Sequence, residues 1–349
     1  MIHWAEPNIT DEDINYVKKV LDSRWYTMGR QVKLLEEKMK NISQRKYALA
    51  VNNGTSALTV SLRCLGIGVG DEVIVPALSY IASATAVSLV GAKPIFADVN
   101  KNMVLDPQEI DRTITSKTKA IISVDFGGNP CNHDLIKEKA KHYDVPVLHD
   151  GAQSFGATHN NKPCLSYGDI STTSFHIAKH ITTVEGGMIF TDNEDVAKKV
   201  KIIRNQGEGN TKYVHEMLGG NYRMTDLSAS FAVKQLERFV QILHDRYSVV
   251  SFYKQLLKDV VDYVETEGEG NFMFTILSDK RDEIAEHLKK NNVETRAYRM
   301  TIPQQPLYNI KTSYPVAEDF ANRMLSLPLH HKLTYEDLEF ITHKIKEVV

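Results

Sequence analysis

Apolar residues recur along this chain with two different periods. Short runs rich in β-branched residues read as strands: YALAVN from Tyr47, EVIVP from Glu72, KPIFADV from Lys93, KAIISVD from Lys119 and VPVLHD from Val145. Stretches of helical spacing lie between them, beginning near Thr55, Ile81, Pro107 and His133. Ahead of this alternation stand two helices. Thr10 with Asp13 three residues on gives a capping-box variant, followed by Ile14, Val17 and Leu21 on one face. Leu34, Leu35 and Met39 mark a second helix from about Gln31 to Met39. The most apolar stretch, Ala82 to Gly91, is interrupted by Ser83, Thr85 and Ser88 and reads as a buried helix.

Strand and helix in strict alternation predict an α/β domain with a mostly parallel sheet. In such sheets ligands sit beyond the carboxyl ends of the strands, so chemistry is sought just after each one. A long helix is predicted from about Thr225 to Asp245. After it come a strand in NFMFTILS, a helix in RDEIAEHLKKNN, a strand in VETRAYR and a terminal helix capped by Thr334. This divides the chain into a large domain over residues 1–238 and a smaller C-terminal α+β domain over 239–349.

Composition narrows the class. The chain has 349 residues, of which 42% are hydrophobic and 25% charged, as in ordinary globular proteins. A net charge of -2 argues against coating nucleic acid or an anionic membrane. No segment reaches the ~20 apolar residues that a membrane span needs. The first twenty residues lack a basic start followed by an apolar run, so no signal peptide is expected. Cys64, Cys131 and Cys164 are widely spaced, which suggests neither a metal site nor a disulfide framework. A reducing, cytoplasmic location is the expectation.

Five segments could carry chemistry. In SFHIAKHITTVEGGMIFT, Lys179 stands among uncharged residues before the Glu185-Gly186-Gly187 turn. It is either a partly desolvated nucleophile able to form a Schiff base with an aldehyde cofactor, or a loop lysine in water. In VPVLHDGAQSFGA, Asp150 ends an apolar strand. It either pairs with a buried cation such as a protonated ring nitrogen, or caps the next helix. In VNNGTSAL, Thr55 and Ser56 open a helix after Gly54, giving an anion site or an ordinary N-terminus. Tyr80 follows a strand, as a stacking surface for a planar ring or as a core residue. Gly219-Gly220 places Asn221 and Arg223 before a helix, where either could reach a phosphate, or Arg223 could pair with a carboxylate.

Taken in order, these segments resemble the fold-type I enzymes of pyridoxal 5'-phosphate (PLP). They resemble most closely the DegT-type nucleotide-sugar aminotransferases. The motifs N-G-T-S-A-L, D-E-V-I-V-P, G-A-K-P-I-F-A-D-V, H-D-G-A-Q-S-F-G-A, S-F-H-x-x-K-H-I-T-T-x-E-G-G and N-Y-R-M-T-D carry the resemblance. It runs from the Leu21 region to SLPLHHKLTYEDLEFI.

The resemblance implies roles residue by residue. Lys179 is the Schiff-base lysine and proton shuttle, and Asp150 bonds the pyridine nitrogen. Gln153 contacts the ring hydroxyl and Tyr80 stacks on the ring. Thr55, Ser56 and Ser174 hold the phosphate. Asn221 adds a phosphate contact from the partner subunit of a homodimer with composite active sites. His176, Trp25 and Tyr26 fall on the sugar side. Arg24, Arg30 and Arg223 are candidates to meet the diphosphate charge.

The implied activity is amino transfer from glutamate, through pyridoxamine phosphate, to a keto sugar attached to a nucleoside diphosphate. Similarity to perosamine- and viosamine-type synthases points to C4 of a 4-keto-6-deoxy sugar, for polysaccharide or other amino-sugar biosynthesis. The alternatives are C3 amination of a 3-keto sugar, a PLP-dependent sugar dehydratase, and a non-catalytic binding or regulatory homologue. Dehydratase relatives carry His where this chain has Lys179. Val184, Gly151 and Gly220 depart from the family's usual Gly, Ala and aromatic. Pro303–Tyr308 lacks the histidine of an H-x-Q-P-x-Y pattern.

Overall fold

The computed structural model describes every residue except Glu267 and Glu269. Helix α1 (Asp11–Asp22) opens with the capping box, Thr10 accepting from the Asp13 N–H and Asp13 from the Thr10 N–H. Helix α2 (Arg30–Ser43) buries Val32, Leu35 and Met39.

The alternating region then builds one sheet. Its elements are β1 (Tyr47–Val51), α3 (Gly54–Cys64), β2 (Glu72–Pro76), α4 (Ala82–Leu89), β3 (Lys93–Ala97), α5 (Pro107–Thr113), β4 (Thr118–Val124), α6 (His133–His142) and β5 (Val147–Asp150). A small hairpin, β6 (Thr158–His159) and β7 (Lys162–Pro163), precedes β8 (Ile170–Ser174) and β9 (Gly187–Thr191). The seven-stranded order is β1-β9-β8-β5-β4-β2-β3. Every strand runs the same way except β9, which is antiparallel to both β1 and β8. The carboxyl ends of β1, β2, β4, β5 and β8 therefore share one edge.

Strand alternation sorts the core onto two faces. Leu148, Ile122 and Val124 pack with α3 and α4, including Leu58, Leu62 and Val87. Their neighbours Val147 and Ile121 pack on the other face with Ile136 and Cys131. On β5, Asp150 thus follows Leu148 toward one face, while His149 follows Val147 toward the other. Nearer β1, the second face is covered by α2 and a later helix, α8 (Asp226–Gln235), through Leu35, Met39 and Ala229.

Helix α7 (Glu194–Ile203) follows the sheet. The single long helix expected from Thr225 to Asp245 is two: α8 (Asp226–Gln235) and α9 (Phe239–Leu257), joined by a 3-10 turn over Leu236–Arg238. Apolar spacing continues across the joint, which is why the sequence pattern hides it. The smaller α+β unit adds β10 (Asp262–Tyr263), β11 (Phe274–Leu277), α10 (Arg281–Lys290), α11 (Pro315–Arg323), β12 (Met324–Leu327) and α12 (Tyr335–Lys346). Its sheet order is β10-β11-β12, over a core that includes Tyr253, Phe274, Leu288 and Ile341. VETRAYR is not a strand of this sheet. It makes only isolated bridges, Val293 to Ile2 and Arg296 to Ser326. No helix among the described residues is long and apolar enough to cross a membrane.

Candidate active site

A cavity of about 930 Å³ opens at the carboxyl edge of the large sheet. On its wall meet Thr55, Ser56, Tyr80, Asp150, Gln153, Ser174, His176 and Lys179, eight residues singled out from sequence. Their convergence follows from topology, because each stands just past a strand of that shared edge or in the loop between β8 and β9.

Asp150 is 6% exposed. Its Oδ2 accepts from Ser83 Oγ at 2.9 Å and its Oδ1 from the Ala152 N–H at 3.1 Å. Ser83 Oγ lies 3.1 Å from Ser79 Oγ. Burial raises the Asp150 carboxyl above its ordinary range, against the downward pull of Ser83, the Ala152 N–H, His149 and Lys179. No cation is in hydrogen-bond contact with it among the described residues. A buried carboxylate so placed has room for a cationic partner brought by a ligand.

Lys179 sits in a loop fixed at both ends. Phe175 N–H donates to Gly186 O at 2.8 Å, and Thr183 N–H to Phe175 O at 2.9 Å. Gln235 of α8 exchanges two hydrogen bonds with Thr182, at 2.9 and 2.8 Å. The Lys179 ammonium lies 4.2 Å from the centre of the Phe272 ring. Burial pushes its pKa down to about 8, Asp150 opposing and Arg246 assisting. The amine is thus still mostly charged at pH 7 and becomes neutral above about pH 8, far below an ordinary lysine.

The start of α3 is an anion cradle in chemistry. Asn53 Oδ1 takes the Ser56 N–H at 2.7 Å and Asn53 O the Ala57 N–H at 3.0 Å. The N–H groups of Gly54 and Thr55 have no partner among the described residues, as at any helix start. A Cβ on Gly54 would stand 3.0 Å from Ser174 Cβ, and one on Gly187 would stand 2.4 Å from Asn53 O. Both glycines let this corner close. Gln153 accepts from the Gly127 N–H through Oε1 at 2.8 Å, which fixes its amide. Tyr80 is 59% exposed, so it is no core tyrosine. His176 lies 3.8 Å from Glu185 at the rim.

Other sequence candidates lie apart from this wall. Trp25 packs against Gly29 beside Asp226, in a separate hollow that Arg30 shares. Tyr26 Oη donates to Leu21 O at 3.3 Å, and Arg24 has a positive φ of 58° in the same turn. Arg223 donates to Asn205 Oδ1 at 2.8 Å, and Asn221 bridges to Asn205. Of that segment, Tyr222 reaches the cavity. Sequence reading did not single out Ser83, Trp4, Arg63, Phe272, Arg296 or Tyr298, all but Ser83 on the wall itself. Spacing gives no signal for residues delivered from the far end of the chain. Ser83 was noticed only as a polar break in a helix.

The departures from the motif also have structural accounts. Val184 takes φ 70°, a left-handed conformation that suits the glycine common at that position. A Cβ on Gly151 would meet Leu165 at 2.5 Å and His149 Nε2 at 3.0 Å. A Cβ on Gly220 would stand 2.7 Å from the Tyr222 ring. In Pro303–Tyr308, Gln304 accepts from the Thr301 N–H at 3.1 Å, and Tyr308 Oη lies 3.1 Å from Ser88 Oγ.

A fold-type I sheet whose edge gathers a buried carboxylate, a depressed lysine and a helix start has the parts that a PLP-dependent aminotransferase requires. The chain belongs to the DegT/DnrJ/EryC1/StrS aminotransferase family, whose model matches residues 7–346. It is 36% identical to the GDP-perosamine synthase of Escherichia coli O157:H7, over 98% of this chain and 97% of the relative. It is 33% identical to the UDP-2-acetamido-2-deoxy-3-oxo-D-glucuronate aminotransferase of Pseudomonas aeruginosa, over 93% and 92%. A Streptococcus pneumoniae chain solved in its PLP form superposes with a TM-score of 0.94 at 28% identity, covering 99% of this chain and 97% of that one. The protein is a PLP-dependent aminotransferase.

Proposed function

We propose that this enzyme moves an amino group from glutamate to C4 of a 4-keto-6-deoxy sugar carried on a nucleoside diphosphate. The observation that carries the reading is the placing of Lys179 and the cation-lacking Asp150 on one cavity wall. PLP, when bound, supplies a carbonyl that condenses with amines and a ring that withdraws electrons. The chain's own residues supply the rest. Asp150 holds a positive ring nitrogen, and that positive charge in turn keeps the carboxyl ionised despite its burial. Lys179, neutral above about pH 8, takes a proton at Nζ and returns it. The α3 N-terminus with Thr55, Ser56 and Ser174 takes the phosphate. Gln153 and Tyr80 would hold the ring, the first by its amide and the second by its exposed aromatic side chain. Arg63 and Arg296 put positive charge on the same wall, suited to anionic parts of donor or acceptor.

The sugar class is supported by both named relatives, and C4 by the likeness to the perosamine synthase. The Pseudomonas relative, whose name specifies a 3-oxo sugar, supports amination at C3 as the second reading. The test is a panel of nucleotide-linked keto sugars with glutamate, read by product mass and by NMR for the aminated carbon. Transfer to a 4-keto-6-deoxy sugar is expected. An amine found at C3, or no transfer to any 4-keto sugar, overturns the C4 reading.

A further inference from the structure

Behind the catalytic face of the sheet lies a second group of reactive side chains that the aminotransferase reaction does not use. Asp125 follows β4, His133 opens α6, His149 lies in β5 and Cys164 follows β7. All four are buried, at 0%, 3%, 0% and 0% exposure. One ligand atom each of Asp125, His133 and Cys164 lies within 4.8 Å of the others. His133 Nε2 is 3.1 Å from Asp125 Oδ1, and His149 Nε2 is 3.2 Å from Asp125 Oδ2.

We propose that Asp125, His133 and Cys164 bind a zinc ion that ties the end of β4 to α6 and to the loop after β7.

Three observations support a metal over a hydrogen-bonded network. First, His133 Nε2, His149 Nε2 and Asp125 Oδ2 have no hydrogen-bond partner, although the nitrogens stand 3.1 and 3.2 Å from the carboxylate. The distances suit hydrogen bonds, but the N–H directions do not. Neighbouring N and O ligands on a tetrahedral zinc stand roughly 3.3 Å apart, given bonds of about 2.0–2.1 Å. Close nitrogens and oxygens that do not point at each other fit that arrangement.

Second, the charges balance. A carboxylate, a thiolate and a neutral imidazole around a divalent cation sum to zero, which a dry interior tolerates. The mixed O, N and S donor set suits zinc rather than calcium or magnesium.

Third, an outer partner is in place. Cys131 N–H donates to Asp125 Oδ1 at 2.8 Å. Such a contact orients its ligand from behind. The Cys131 thiol itself turns to Val124 O at 3.2 Å and is not a ligand. The side chains of His149 and Asp150 leave β5 on opposite faces, so the ion would stand behind the sheet and outside the cavity.

The test uses tag-free, cofactor-loaded enzyme dialysed against metal-free buffer. Plasma mass spectrometry is expected to find about one zinc per chain. Cys164→Ser should lose at least tenfold of it, and Cys131→Ser should retain it. Should Cys164→Ser not fold, X-ray absorption on the wild-type enzyme loaded with zinc decides. A sulfur ligand beside nitrogen and oxygen supports the site, and a shell without sulfur overturns it. Zinc below a tenth per chain, both as purified and after chelator-treated enzyme is given zinc, overturns the proposal. So does full zinc retention in Cys164→Ser.

Discussion

The chemistry of Lys179 is set by the groups that fold around it. The Phe272 ring and the Arg246 charge come from far along the chain, and they join burial in setting its behaviour. A lysine whose pKa falls from 10.5 to about 8 on folding has a definite sign of pH dependence. In cofactor-free enzyme its neutral form, and hence its labelling by an amine-selective acylating reagent, should rise about tenfold per pH unit up to pH 8 and then level. Peptide mass spectrometry reads this directly, and a rise continuing to pH 10 would refute the depressed value. The stability linked to the group is fully present above pH 10.5 and is lost as pH falls through 8. Val184 gives a second residue-scale test. A β-branched side chain at φ 70° carries strain that glycine relieves. Val184→Gly should stabilise the protein by about 1 kcal/mol in urea unfolding, after offsetting the extra freedom of the unfolded chain. Destabilisation would show that the valine is held by packing not apparent from its 46% exposure.

At the level of elements, sequence pattern and structure agree where one period fills one element. All five strands from Tyr47 to Asp150 were placed to within a few residues, because each is buried and bounded by turns. The two differ where apolar spacing runs through a joint, at Leu236–Arg238, and where an alternating segment pairs only through single bridges, at 293–299. Neither fact is local. The small strands β10 and β12 escaped for the same reason, since pairing across β11 defines them. Helix α3 was read for its Thr55 and Ser56, but its cap is Asn53, one place before the turn glycine. Asn53→Ala should cost about 1 kcal/mol of stability in the cofactor-free enzyme. Chemical denaturation checks this, and a change below a few tenths would mean that water replaces the cap without loss.

For the whole molecule, the edge of one sheet collects most of the candidate site, and the chain's two ends complete it. Trp4 comes from the N-terminus, and Arg296 and Tyr298 from the smaller unit. Asn221 is outside its own cavity, as a residue serving the neighbouring subunit would be. A composite homodimer makes a specific prediction. Lys179→Ala and Asn221→Ala enzymes should each be nearly inactive, and after subunit exchange the mixture should recover about a quarter of the wild-type sites. Steady-state assay after mild dissociation and dilution reads the recovery, and its absence in exchanged dimers would confine each site to one chain. The expectation of such a partnership rests on the family's motif alone, since nothing in one chain's periodicity reports on another.

The reversed strand β9 has a consequence for how the amine is carried. A parallel return from β8 would have demanded a long crossover over the sheet face, lifting the intervening residues away from the edge. Running back beside its predecessor instead, β9 makes the whole excursion a hairpin whose two feet stand on adjacent rails. Any slippage of the tip must first unzip the ladder between those rails, so the enzyme's most mobile kind of side chain hangs from one of its least movable mounts.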